Sequence, residues 1–192
     1  MVKWFMHRGI AAFERKWHYD ASYLHELIDI DPRAAWRFSR AAAIGSYSKD
    51  VPLAVRMAAA LTAVKHEDCG PCTQLGVQMA EAFGVDPTVL RAILKEDAVA
   101  MPDDVALGWR FTRAVMDRDP VADEYRAEIE RRWGKRAVAS LAFAMVASRT
   151  YPTVKYAMGH GQSCARVVVG GTPIVFDHAA ASSRPVAAVR HA

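Results

Sequence analysis

No stretch of the chain approaches the roughly 18 uncharged apolar residues that a membrane span needs. The longest apolar pieces are Ala137–Ala147, broken by Ser140, and Met57–Val64, broken by Thr62. Sustained alternation of apolar and polar residues is also missing. Val167-Val168-Val169 is the only strand-like run, and it is short. No repeat of fixed period stands out. Charge of one sign is lacking: 25 Lys and Arg face 21 Asp and Glu, a net charge of +4 that is too weak to indicate nucleic acid. Three cysteines in 192 residues make no disulfide framework. Residues 1–17 carry Lys3, His7, Arg8, Glu14, Arg15 and Lys16, so the apolar region of a secretory signal is absent there. The resulting expectation is a cytoplasmic protein with no membrane span and no nucleic-acid partner. With 52% apolar and 24% charged residues, a chain of this size can bury a large core without a staple.

What is present reads as helix after helix. Trp4, Phe5, Arg8, Ile10, Phe13 and Trp17 suit a first amphipathic helix. Its basic side suits a membrane surface, but packing against its own domain or a neighbouring subunit is the plainer reading. Asp20 can cap a second helix, and Asp31-Pro32 opens a third that runs to about Ala43. Asp50 or Val51, with Pro52, opens a fourth through Val64. Asp68 is the expected N-cap of the next, which Gly84 stops. Further helices are expected from Asp86-Pro87 to Leu94, from Pro102 to Met116 and from Val121 to Trp133. Arg136–Arg149 reads as the central buried helix, ended at Tyr151-Pro152, with a short helix to Met158. Gly159-His160-Gly161 is a turn before Cys164. The expected organisation is one all-α domain over residues 1–170 and a loosely ordered tail over 171–192. The apolar, alanine-rich helices lead to the expectation of a homo-oligomer.

The chemistry concentrates in Lys65-His66-Glu67-Asp68-Cys69-Gly70-Pro71-Cys72. A free cysteine, with a pKa of ~8.5, is mostly thiol at neutral pH, and sulfur chemistry needs the thiolate. A helix N-terminus offers unpaired N–H groups and partial positive charge that favour the anion. Two cysteines three apart share a helix face and can close a disulfide. One can attack an oxidant or disulfide and the other resolve the intermediate. His66 or Glu67 can carry the proton, whereas Asp68 disfavours a second anion beside Cys69. Simpler readings stand beside these. Cys69 and Cys72 can be plain buried residues. His66 can be a cation at a helix C-terminus, Glu67 a solvated loop residue, His160 a turn residue, and Cys164 a small apolar one. Gln74 and Gln78 read as exposed helix polarity. Zinc would need four ligands; Cys69, Cys72, Cys164 and one histidine could supply them, but no second C-x-x-C and no H-x-x-x-H accompanies them. Neither metal nor cofactor is expected.

C-G-P-C matches the thioredoxin motif, but Leu53–Lys65 before it is helical in period where a thioredoxin needs a strand. A helix, a short break, C-x-x-C and a helix in an all-helical chain instead resembles the AhpD-like/carboxymuconolactone decarboxylase superfamily. The resemblance takes in Val55–Val64, Gln74–Phe83 and Ala137–Cys164, with Arg149, Tyr151-Pro152, Lys155 and Gly159. Tyr19-Asp20-Ala21-Ser22-Tyr23 is similar to one uncharacterised branch. The resemblance implies an AhpD-like multi-helix bundle with the C-x-x-C at the N-terminus of a core helix. It also implies that Cys72 attacks a peroxide and that Cys69 closes the disulfide, with an external dithiol as reductant. The family's glutamate, twelve residues before the first cysteine, is Met57 here. Its two histidines fall on Pro71 and Gly76. His66 and Glu67 are the nearest replacements, and His160 can arrive from the distant helix. The expected function is a peroxidase or disulfide reductase; a non-redox lyase or small-molecule-binding protein on the same scaffold is the alternative, and an oligomeric module without catalysis is a third.

Overall fold

The protein is described by a computed structural model, over residues 2–161 and 166–175. Nine helices follow one another among these residues: α1 (Val2–Trp17), α2 (Ser22–Ile30), α3 (Pro32–Ala42), α4 (Leu53–His66), α5 (Gly70–Ala82), α6 (Pro87–Lys95), α7 (Asp103–Asp117), α8 (Ala122–Trp133) and α9 (Lys135–Ala157). A 3-10 turn, Ala43–Ser46, follows α3. Two strands, β1 (Arg166–Val169) and β2 (Thr172–Val175), complete the described chain. No helix among the described residues is long and apolar enough to cross a membrane. Local chemistry sets many of the boundaries. The Asp31 carboxylate accepts from the Arg33 N–H at 2.8 Å, and Asp86 does the same for Thr88 at 2.6 Å. In both cases proline occupies the first helical position.

The centre of the bundle is α4 and not, as the composition of 136–149 leads one to expect, α9. Val55, Ala58, Ala59, Leu61 and Ala63 are almost wholly inaccessible, and α4 packs against α5, α6, α7 and α9. Small side chains let the neighbours come close. A Cβ on Gly108 of α7 would stand 2.6 Å from Val55 Cγ1, so only glycine fits that crossing. By contrast, α9 buries Ala137, Ser140, Leu141, Ala144 and Met145 on one face and leaves Phe143 and Val146 exposed on another.

Three further expectations are corrected. Pro152 does not end α9; the helix runs unbroken from Lys135 to Ala157. The proline withholds one N–H, while the hydroxyls of Thr150 and Thr153 bond the carbonyls of Val146 and Arg149 at 2.8 and 2.7 Å. Burial of Pro152 and Lys155 holds the last turns in place against the proline's preference. The loose tail does not begin at residue 171. Gly170 and Gly171, both at positive φ, make a two-residue turn, and β1 pairs antiparallel with β2 as far as Val175. Val167, Val169 and Ile174 enter the core. Gln74, expected as exposed polarity, holds this hairpin to α5. Its amide donates to the Val168 carbonyl at 3.0 Å and accepts the Val168 N–H at 2.7 Å. Residues 176–192 and Cys164 lie outside the described residues.

Candidate active site

The α4–α5 junction is built by a left-handed residue. Asp68 has φ of +51°, a conformation that aspartate tolerates better than most residues, and its N–H bonds the Lys65 carbonyl at 3.0 Å. It therefore closes α4 and does not open α5 as the expected N-cap. Cys69 occupies the N-cap position, and Gly70, Pro71 and Cys72 form the first turn of α5. The Cys69 carbonyl accepts from both the N–H and the hydroxyl of Thr73, each at 2.9 Å. This geometry brings the two Cα atoms to 5.3 Å, within disulfide range, and the sulfurs are bonded.

The two sulfurs are not equivalent. Cys69 is fully buried, whereas Cys72, at 7% exposure, lines a partly open cavity of about 510 Å³. The lining is mainly apolar, drawn from α1, α2, α4, α5 and α9, and includes Phe13, Leu24, Leu61, Leu75, Met79 and Phe83. Met57 and Gly76, which stand where the resemblance leads one to expect a glutamate and a histidine, also face it.

The polar atom beside Cys72 is one the sequence motif does not contain. The Tyr19 hydroxyl lies 3.7 Å from Cys72 Sγ, in a buried contact. Tyr23, in the first turn of α2, interacts with the Tyr19 phenol. Burial pushes the pKa of both phenols up, so each holds its proton as a donor; the neighbouring Tyr23 phenol opposes this at Tyr19. Lys155 lies beneath the pair. Its ammonium is 5.0 Å from the Tyr19 ring centroid and 5.6 Å from that of Tyr23. The side chain is 1% exposed, and Nζ has no hydrogen-bond partner among the described residues. Burial pulls its pKa down, partly offset by the charge of Asp20. The Asp20 carboxylate is in turn held below its ordinary pKa by the Ser22 N–H, at 2.9 Å.

The other sequence candidates are engaged with further polar groups. Glu67 receives the Arg149 guanidinium, and His66 Nδ1 is 3.9 Å from the same carboxylate. His66 Nε2 is 4.0 Å from Asp117, so the ring bridges two acids at the end of α4. His160 Nε2 lies 2.6 Å from Glu26, Nδ1 lies 3.3 Å from Ser22 Oγ, and the ring centroid is 6.4 Å from that of Tyr23. His160 therefore flanks the tyrosine pair and not the cysteines. None of the three lines the cavity among the described residues. No group of three or more His, Cys, Asp or Glu side chains among the described residues is placed to hold a metal ion.

The arrangement can hold one sulfur against an apolar space, give it a neutral hydroxyl donor and keep the second sulfur behind it. Tyr19, Tyr23 and Lys155 are the residues that reasoning from the motif missed as functional. A lysine inside the apolar last turns of α9 is the signal that could have found them, since such a charge needs a reason. No family model, no curated protein and no solved structure matches the chain.

Proposed function

We propose that the protein is a thiol–disulfide oxidoreductase of the alkylhydroperoxidase-like type, acting through Cys69 and Cys72 in a reducing, cytoplasmic setting. In the reduced enzyme a Cys72 thiolate attacks the terminal oxygen of a hydroperoxide. The O–O bond breaks, Cys72 becomes a sulfenic acid, and the leaving alkoxide takes a proton to become an alcohol. The Cys69 thiol then attacks the sulfenic sulfur, forming the disulfide and releasing water. An external dithiol regenerates both thiols by exchange, entering at Cys72 because Cys69 is covered. The proton role belongs to Tyr19, which touches the sulfur, and not to Glu67 or His66, which are engaged with Arg149 and Asp117. Lys155 acts on Tyr19 as a positioning residue.

The observation that carries this reading is the Cys72 sulfur on the wall of an apolar cavity, 3.7 Å from a buried hydroxyl and joined to a covered partner cysteine. The test is turnover of cumene hydroperoxide with dithiothreitol as donor, with thiol trapping and mass spectrometry in parallel. The expected result is turnover lost in Cys72→Ser and a Cys69–Cys72 disulfide formed by peroxide in the parent. Thiols that stay reduced and inert under peroxide would overturn it. They would favour the non-redox reading, a lyase or small-molecule-binding protein, which the volume of the cavity supports in its own right.

A further inference from the structure

One charged side chain lines the cavity among the described residues. Arg56, on α4, donates from Nη2 to the Gly45 carbonyl. Its Nε is buried and has no hydrogen-bond partner, and none of the ion pairs among the described residues involves the guanidinium. Arg56 is half-buried, and the protein supplies its guanidinium with one carbonyl and no counter-charge among the described residues.

The setting of Arg56 is built and not incidental. Gly45 places its carbonyl there because the 3-10 turn sits directly on α9: a Cβ on Gly45 would meet Ala147 Cβ at 2.6 Å. Ala147 and Ser148 of α9 line the cavity with it. Away from this polar end the α4 wall continues as Met57, Ala60, Leu61 and Val64, one helical stripe. From Arg56 to Val64 that stripe is about 12 Å long at 1.5 Å per residue. The far end is the α4–α5 junction that carries Cys72.

We propose that this cavity is a binding site for a medium-chain amphiphilic carboxylate, its head group paired with Arg56 and its acyl chain lying along the α4 stripe. A planar guanidinium that lines an apolar cavity without a carboxylate partner among the described residues accepts a carboxylate better than a neutral head group, and the apolar lining rejects a second charge. The volume of about 510 Å³ falls within the range of small-molecule sites. The site does not depend on thiol chemistry, so it stands beside the function proposed above and not on it.

The test is calorimetric titration of the full-length oxidised protein with decanoate, decan-1-ol and decylamine, each below its aggregation limit. Decanoate is expected to bind at least about tenfold more tightly than decan-1-ol, the order of one charge-assisted hydrogen bond, and decylamine most weakly. Arg56→Met is expected to bind decanoate and decan-1-ol alike, and Arg56→Lys to recover part of the preference. Equal binding of acid and alcohol by the parent, no decanoate binding, or an unchanged preference in a folded Arg56→Met would overturn the proposal. Should Arg56→Met fail to fold, the ranking of the three probes on the parent decides. Because the oxidised protein has no free Cys69 or Cys72 thiol, failure here leaves the peroxidase reading intact. Loss of peroxidase activity likewise leaves this site standing.

Discussion

Removing one oxygen atom tests the chemistry assigned to Tyr19. Tyr19→Phe keeps the ring, its packing under Phe13 and its contact with Lys155, and deletes the hydroxyl that lies 3.7 Å from Cys72 Sγ. A hydrogen bond to a charged acceptor contributes about 1.5–3 kcal/mol. One pKa unit corresponds to about 1.4 kcal/mol, so the Cys72 thiolate loses about one to two units of acidity. The thiolate fraction below both pKa values then falls about ten- to a hundredfold. The surviving thiolate is more nucleophilic, and with a Brønsted slope of about 0.4–0.5 roughly half the effect on rate is offset in logarithmic terms. The net loss at neutral pH is about three- to tenfold. At a pH above both values the order reverses, and the variant reacts faster. The assay is the rate of iodoacetamide alkylation of Cys72 against pH, in a Cys69→Ser background with and without the tyrosine change. Superimposed profiles would refute the reasoning, because the contact would then do nothing for the anion.

Three other perturbations have definite signs. Lys155→Met replaces a buried ammonium that lacks a hydrogen bond with an apolar chain of similar volume, and is expected to stabilise the fold by about 1 kcal/mol after loss of its ring contacts. Burial lowers the Lys155 pKa below 10.5, so the unfolded chain binds a proton that the folded chain lacks. Its contribution makes stability rise with pH through that window and level off above 10.5; urea midpoints from neutral pH to about 10 should lose this slope in the variant. Above 10.0 the buried tyrosines act in the opposite direction, because the folded state keeps protons the unfolded state sheds. Gly108→Ala forces a methyl onto Val55 and is expected to cost about 1–3 kcal/mol despite better helix propensity; Val55→Ala in the same chain should restore part of it, and additive losses in thermal unfolding would contradict the close crossing. Gln74→Ala leaves Val168 without its two hydrogen bonds to that side chain and should raise amide exchange at Val168 more than in α4; equal exchange would mean that the hairpin holds by its apolar face alone.

The helices were legible where one residue and its near neighbours decide the matter. Asp31-Pro32 and Asp86-Pro87 start helices by capping chemistry that needs no tertiary structure, and Gly84 and Gly134 stop them at positive φ. Pro152 misleads for the same reason. Read locally it ends a helix, and what carries α9 through it is burial of residues on either side. The hairpin was hidden because Thr172-Pro173-Ile174-Val175 has too few residues to show a period, and the side chain that fixes it, Gln74, is 94 residues from Val168. In the candidate site, the pairing of Cys69 with Cys72 is readable from spacing alone. The hydroxyl beside Cys72 comes from 53 residues away, and Lys155 arrives from a third helix, so neither leaves a mark near the motif. Tyr19-Asp20-Ala21-Ser22-Tyr23 stands out in the sequence without a reason; packing of both rings against Lys155 supplies it.

The short span of the Cys69–Cys72 link has a thermodynamic consequence. A cross-link stabilises a fold by removing conformational freedom from the unfolded chain, and the effect grows with the length of chain it encloses, from about 3 kcal/mol for 15 residues to about 4.7 for 100. Here the bridged residues are three apart in one turn of α5, so the enclosed chain is nearly the shortest possible. The bond constrains the unfolded ensemble little, and it joins no two elements that α4 and its neighbours do not already hold together. Opening and closing it therefore leaves the global folding equilibrium almost where it was. A bond so placed can be spent and remade many times by a molecule that stays folded throughout.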